Sequence, residues 1–389
     1  MENERPTILL VDDEPFNIDY LAQELEEFDL EIMTASDGQE ALELIKGSIP
    51  DMIFLDIMMP RLDGFGVLER LKAVPDWRDI PVVIISAASD MDNIARGIEL
   101  GAEDFLPKPF NPVILQARMK AGLEKKRLRD IAQRYLQSLE RELEIGREIQ
   151  ADFLPAEIPQ PPGWQIESIF QAAHEVAGDF YDVFWITDNQ LAFILGDVTD
   201  KGVGAALYMA LFRTLLRAGV LLNDGQGYAP QERVRKAVEL VNHYICTIHD
   251  SKMYATLFFG VLDTTSGELN YVNAGHDPPY LMEQGQIIDQ LKPNGPAAGI
   301  LEDAQYTLDS RTLGPGACLV LYSDGVPDAL NTDGEMLTQE RWRVMLEGID
   351  ARGASGVAVL RTQIFDFIGE AAQYDDISLL KLQRVDVEK

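Results

Sequence analysis

One short string constrains this chain more than any other. Residues 197–202 read DVTDKG, and a hydrophobic run at 191–195 leads straight into them. A run of that length predicts a buried strand, and the apolar stretch Val203–Leu222 predicts a helix that follows at once. A carboxylate at the lip of a strand, on a glycine-bounded turn, can hold a divalent cation against a phosphate. Three more acidic clusters abut hydrophobic runs in the same way: AGDFYD with Asp179 and Asp182, YSDG with Asp324, and YDDIS with Asp375 and Asp376. One such cluster alone reads as a solvated acidic loop. Four together read as a carboxylate metal centre.

From about residue 160 to 385 the chain carries, in order, EVAGDFYD, LGDVTDKGVGAALYMA, NAGHDPPYL, LVLYSDGVPDA and YDDISLLKL. This succession resembles the metal-dependent Ser/Thr protein phosphatases of type 2C, in the SpoIIE/RsbU-like sporulation and stress-response branch. The resemblance implies an α-β-β-α sandwich and two Mn²⁺ or Mg²⁺ ions that share Asp197. Asp179 would bind the first ion with Asp197, and Asp324 and Asp375 the second. The carbonyl of Val198 is a candidate extra ligand. The family pattern puts the ligand at the first acid of the last string, so Asp375 is preferred over Asp376. Metal-assisted hydrolysis follows, because paired cations acidify a bridging water and neutralise phosphate oxygens. No side-chain nucleophile is required, in keeping with the absence of a CxxxxxR thiol loop. Asp182 and Asp200 are expected to orient ligands or water. Ala177 stands where the family often has a second glycine, and Lys201 where it often has histidine or lysine; neither removes a carboxylate.

Two features near these strings have plainer readings. His276, followed closely by Pro278 and Pro279, reads as a buried histidine at a strand–turn junction rather than a general acid. The stretch Val203–Leu222 is apolar almost all round and is expected to be buried on most faces. It starts close to Asp197, so its movement would shift a metal ligand.

A second constellation occupies residues 4–122. Thr7–Val11 is a short apolar run that ends in Asp12, Asp13 and Glu14; residues 52–55 end in Asp56, and 82–85 in Ser86. Lys108 and Pro109 close the string GAEDFLPKP. Helical stretches such as 16–28 and 38–46 lie between these runs, the alternation of a parallel, doubly wound sheet. Functional groups of such sheets gather at the carboxyl ends of the strands. There stand Asp12, Asp13, Asp56, Ser86 and Lys108. The segment resembles the response-regulator receiver domain, with a flavodoxin-like fold. The resemblance implies that Asp56 is the phosphoacceptor. Asp12, Asp13, Asp56 and the carbonyl of Met58 would bind one Mg²⁺, Ser86 and Lys108 would meet the phosphoryl oxygens, and Phe105 would be the aromatic switch. Crowded carboxylates need a cation to stay ionised, and Lys108 supplies a point charge for the phosphoryl group. A cis bond is cheap at Lys108–Pro109.

Between the two lies a stretch without proline, 123–153, dense in mixed charge. Leu128, Ile131 and Tyr135, then Leu136, Leu139, Leu143 and Phe153, recur at helical intervals, with a slip near Tyr135 and with Gly146 and Gln150 on the later seam. This predicts a weak coiled coil, a parallel signalling helix with a homodimer through it; the plainer reading is a lone solvated helix lying on a domain surface. Residues 155–162 are proline-rich and mark the next domain. The expected domains are therefore 1–122, 123–155 and 156–389.

A net charge of −32 argues against nucleic acid and anionic membrane surfaces. Cys246 and Cys318, in apolar runs, are expected to be buried thiols of a reducing cytosol. His174, His243, His249 and His276 lack zinc-ligand spacing. No signal peptide and no stretch of membrane-spanning length is expected. The implied function is a two-component response regulator. A cognate histidine kinase would load Asp56, and the phosphatase would act on a phosphoserine or phosphothreonine protein, an anti-sigma-factor antagonist by the branch. The alternative is a non-catalytic adaptor that sequesters a sigma factor or regulator. The complete carboxylate set favours the enzyme.

Overall fold

The computed structural model describes residues 5–87, 90–222, 227–248, 253–347 and 356–385. His249 lies outside them. Two compact units emerge, Met1–Leu139 and Glu140–Lys389.

The first unit alternates β1 (Thr7–Val11), α1 (Pro15–Leu25), β2 (Glu31–Ala35), α2 (Gly38–Gly47), β3 (Met52–Asp56), α3 (Gly64–Ala73), β4 (Val82–Ala87), α4 (Met91–Glu99) and β5 (Asp104–Lys108). The strands form a parallel sheet in the order β2-β1-β3-β4-β5. Side chains alternate across a strand, so both faces of the central strands must be covered. Leu9, Val11, Ile53, Leu55, Val82 and Ile84 join α2 and α3 in one core. Ile8, Leu10, Phe54, Val83 and Ile85 join α1 and the start of α5 in the other.

Helix α5 runs unbroken over Pro112–Ala151. Leu115 and Met119 are buried in the receiver core. Glu103 pairs with Lys125 at 2.5 Å and with Arg129 at 3.7 Å. The stripe Leu128, Ile131, Tyr135, Leu136 and Leu139 is exposed.

The second unit contains β6 (Trp164–Gln171), β7 (Phe180–Trp185), β8 (Gln190–Val198), α6 (Val203–Leu222), α7 (Pro230–Ile248), β9 (Ala255–Asp263) and β10 (Glu268–Ala274). It continues with β11 (Tyr280–Glu283), β12 (Gln286–Gln290), β13 (Asp309–Thr312), β14 (Ala317–Tyr322), α8 (Thr338–Glu347), α9 (Gly356–Ile368) and β15 (Ile377–Arg384). Two antiparallel sheets result, β13-β10-β9-β8-β7 and β12-β11-β14-β15-β6. Their inner faces meet: Leu191, Phe193, Leu195, Phe258 and Tyr271 of one sheet pack with Leu319, Leu321, Leu380 and Leu382 of the other. The alternate residues, such as Ala192, Ile194, Phe259 and Val261, pack outward against α6 and α7. Val320, Tyr322, Ile377 and Leu379 pack outward against α8 and α9. This is the expected α-β-β-α sandwich.

Two expectations about α6 need correction. Its 20 residues are long and apolar enough to cross a membrane by length and composition. Nor is it buried on most faces: Ala205, Met209, Phe212, Leu216 and Val220 pack inward, while Val203 and Leu207 are exposed. A helix on one face of a sheet has only one side to bury, whatever its composition. Of the cysteines, Cys318 is buried and Cys246 is partly exposed.

Candidate functional site

In the receiver, carboxylate oxygens of Asp12, Asp13 and Asp56 lie within 4.8 Å of one another, the one such trio of potential ligands among the described residues. All three sit where β1 and β3 end. Asp12 and Asp56 are buried, and Asp13 is exposed. Lys108 Nζ reaches across from the end of β5 to Asp56 Oδ2 at 2.8 Å and Asp12 Oδ2 at 3.0 Å. Burial raises the Asp56 carboxyl above its ordinary range, and Lys108 opposes that shift. Asn17 Nδ2 donates to Asp12 Oδ1 at 2.9 Å. Ser86 is buried near the end of β4, and the Met58 side chain is exposed on the loop after β3. Phe105 is half-buried beside Arg118. The Lys108–Pro109 bond is cis. Gly64 permits the close return of that loop, since a Cβ there would lie 2.4 Å from the Asp56 carbonyl.

The second site forms at one end of the sandwich. Asp179 precedes β7 and Asp197 lies near the end of β8, adjacent antiparallel strands. Asp324 follows β14 and Asp375 precedes β15, adjacent antiparallel strands of the other sheet. Antiparallel pairing therefore brings Asp179 beside Asp197 and Asp324 beside Asp375, and the packing of the two sheets brings the pairs together. Asp179 is buried, and its Oδ2 has no hydrogen-bond partner. Burial, then Asp197 and Asp376, hold its carboxyl well above the usual range. Burial, Asp324, Asp375 and Asp376 push Asp197 up to about 8. Asp324 borders the open cleft; desolvation there and its acidic neighbours push it up to about 6. An orphaned buried carboxylate oxygen among mutually repelling carboxylates is the donor set a hard divalent cation fits. Val198 N–H donates to the Gly178 carbonyl at 3.4 Å, and a Cβ on Gly178 would lie 2.9 Å from the Val198 oxygen. Glycine thus lets that carbonyl approach the Asp179 loop.

Asp376 has a different task. Its carboxylate accepts from the backbone N–H of Ala173 at 2.8 Å, Gly178 at 2.7 Å and Asp179 at 3.3 Å. Three backbone donors occupy it, whereas Asp375 Oδ1 accepts one, the Asp376 N–H at 2.9 Å. Asp375 Oδ2 lies 2.9 Å from Lys201 Nζ. Gly325 is needed beside this loop, because a Cβ would fall 2.0 Å from the Asp376 carbonyl.

Asp182 does not orient the centre. It is fully buried and paired with Arg213 at 2.9 Å and Arg217 at 3.0 Å, both on α6. Side chains alternate along β7, so Asp182 faces the helix layer. Asp200 adopts a left-handed φ of 77° and accepts from the Lys201 N–H. His276 is buried, its Nδ1 2.9 Å from Thr256 Oγ1, and burial lowers its pKa to about 4. It is therefore neutral near pH 7, and its Nε2 is buried without a hydrogen-bond partner.

A cleft of about 340 Å³ opens at this edge, lined by Asp197, Asp324, His276, Asp277, Asp328 and Gln339, among others. Asp277 and Asp328 stand in the strings NAGHDPPYL and LVLYSDGVPDA but are not among the acids expected at the centre. Each follows its string's chief residue on the same lip, and that was the available signal. Gln150, expected on a helical seam, is instead buried. Its Nε2 donates to the Ala177 carbonyl at 2.7 Å, and its Oε1 accepts from the Ala177 N–H at 2.9 Å.

The chain is similar to known proteins in both units. The response regulator receiver domain family matches residues 8–120. PleD, a response regulator of Caulobacter vibrioides, is 44% identical over 114 residues, which is 29% of this chain and 25% of that protein. Protein IcfG of Synechocystis sp. is 39% identical over 262 residues, covering 62% of this chain and 41% of its own. The chain thus spans less than half of either relative. The SiaA PP2C domain of Pseudomonas aeruginosa shares the fold, with a TM-score of 0.52 at 22% identity, over 65% of this chain and 99% of that one. Residues 187–385, half of the chain, match the Stage II sporulation protein E (SpoIIE) family. The chain belongs to that phosphatase-domain family and carries a response-regulator receiver ahead of it.

Proposed function

We propose that the chain is a response regulator in which phosphorylation of Asp56 controls a two-metal Ser/Thr protein phosphatase. One observation carries the second half of this reading: Asp179, Asp197, Asp324 and Asp375, from two sheets, gather at one end of the sandwich, where Asp197 and Asp324 line the cleft and a buried Asp179 oxygen is left unpartnered. Asp179, Asp197 and the Val198 carbonyl would hold one Mn²⁺ or Mg²⁺, and Asp197, Asp324 and Asp375 another. Bound there, the ions would supply an activated water and neutralise the phosphate oxygens. The chain's own residues do the rest. Asp376 fixes the Asp179 loop through three backbone N–H groups, and neutral His276 packs the wall. The cleft admits a phosphorylated side chain while the sandwich stays closed behind it.

In the receiver, Asp12, Asp13, Asp56 and the Met58 carbonyl would hold one Mg²⁺. Ser86 and Lys108 would take the phosphoryl oxygens, and Phe105 would respond to them. A histidine kinase is the phosphodonor this arrangement calls for. The substrate would be a phosphoserine or phosphothreonine protein such as an anti-sigma-factor antagonist. The exposed apolar stripe of α5 supports a dimer through that helix. The reading is tested by hydrolysis of a phosphoserine protein in Mn²⁺, in chelator, and by Asp197→Ala. Turnover should vanish in the latter two; undiminished turnover in chelator would refute the two-metal site.

A further inference from the structure

The turn between β8 and α6 is bent by two left-handed residues, Asp200 and Gly202, each at φ 77°. Lys201 stands between them and reaches the last acidic string. Its Nζ donates to the Tyr374 carbonyl at 2.7 Å, lies 2.9 Å from Asp375 Oδ2 and sits 4.3 Å from the centre of the Tyr374 ring. The Lys201 side chain is 38% exposed and that of Asp375 29%, so neither is sealed in. Among the described residues, no other basic side chain is paired with Asp179, Asp197, Asp324 or Asp375. The two arginines facing this side of the sheet, Arg213 and Arg217, are committed to Asp182.

Charge counting gives this lysine a task. The four proposed ligand carboxylates and two divalent cations balance, and Asp376, Asp277 and Asp328 add further negative charge beside them, leaving nothing to meet the roughly −2 charge of a phosphomonoester. A lysine is a compact point charge on a flexible stem, suited to changing partners. Once a cation draws on the Asp375 carboxylate, that carboxylate holds Lys201 less strongly, and a phosphoryl group bound beside its acidic neighbours Asp324 and Asp197 offers stronger acceptors.

We propose that Lys201 is a phosphoryl-binding residue, parked on Asp375 and handed to the substrate's phosphate when the metal centre fills. This deepens the phosphatase reading and rests on it. The full chain carrying Asp13→Asn, which removes the receiver's cation site from the titration, is titrated calorimetrically with Mn²⁺. Inorganic phosphate is then titrated in saturating Mn²⁺. Lys201→Ala should bind Mn²⁺ more tightly, because no ammonium competes for Asp375. It should bind phosphate about tenfold to a hundredfold more weakly, the worth of one charge-assisted bond. Lys201→Arg should keep most of the phosphate affinity. Unchanged phosphate binding by Lys201→Ala would overturn the assignment. So would weakened Mn²⁺ binding, which would mean that the lysine only braces Asp375. Absence of phosphate binding by the parent protein would also overturn it. A parent that binds Mn²⁺ and phosphate but hydrolyses no phosphoserine peptide would instead sink the phosphatase reading and leave the lysine's role standing.

Discussion

Gln150→Ala isolates the contact between the end of α5 and the metal-ligand loop. The native amide exchanges two hydrogen bonds, 2.7 and 2.9 Å long, with the carbonyl and N–H of Ala177. Ala177 stands two residues before Asp179. Alanine removes both bonds and leaves two buried backbone groups unpaired, at about 1–3 kcal/mol each. Water entering the space would recover part of this, so the anchored loop should lose roughly 2–4 kcal/mol. Only part of that falls on the ligand geometry; even about 1.4 kcal/mol would shift cation affinity tenfold. Hydrolysis by the full chain should therefore need about tenfold or more Mn²⁺ to reach half its maximal rate. Labelling of Asp56 by acetyl phosphate should not change, since the receiver's own bonds are untouched. Gln150→Glu should fail similarly, because its second oxygen would face the Ala177 carbonyl. A wild-type Mn²⁺ midpoint in Gln150→Ala would show that this contact does not position Asp179.

Other perturbations separate structure from chemistry. Asp182→Asn should lower thermal stability by about 3–5 kcal/mol, because it strips a buried carboxylate from two arginines; a melting temperature unchanged from wild type would refute the clamp. Asp197 and Asp324 have raised carboxyl pKa values, so the folded protein binds more protons than the unfolded chain above pH 4. His276, lowered to about 4, offsets part of this up to about pH 6.5, so metal-free protein should lose stability most plainly as pH rises from about 6.5 to 8, on the order of a few kcal/mol, and Mn²⁺ should restore it. Stability rising over that window without metal would contradict the cluster's electrostatics. Inserting two residues near Ser138 turns the following helix by about 200°, whereas seven nearly restore its phase. Control by Asp56 phosphorylation should fail with two and survive with seven; equal regulation by both would make α5 a passive tether.

Much of the site was legible because acids were written at the ends of apolar runs. Asp12, Asp56, Asp179, Asp197 and Asp324 stand at or next to the ends of strands, and strand pairing, with the packing of the two sheets in the second unit, then gathers them. What was not legible depends on partners far along the chain. Asp182 belongs to the same string as Asp179, but its arginines come 31 and 35 positions later on α6. Asp376 looks like Asp375 until its three amide donors, some 200 positions earlier, are in place. Gln150 fitted a helical seam by spacing, yet spacing cannot name the loop that covers it. The α6 composition suggested burial on most faces because hydropathy does not count neighbours. Among the described residues only one face of that helix is covered.

The central claim is that phosphate on Asp56 controls hydrolysis at the Asp197 centre. Its most direct test is the initial rate of phosphate release from a phosphoserine protein in saturating Mn²⁺, measured with and without acetyl phosphate. Wild type and Asp56→Asn are compared. The rate of the wild-type chain should change when Asp56 is labelled, and that of Asp56→Asn should stay at its basal value under both conditions. A wild-type rate that is indifferent to labelling, or an Asp56→Asn chain that responds as wild type does, would contradict it.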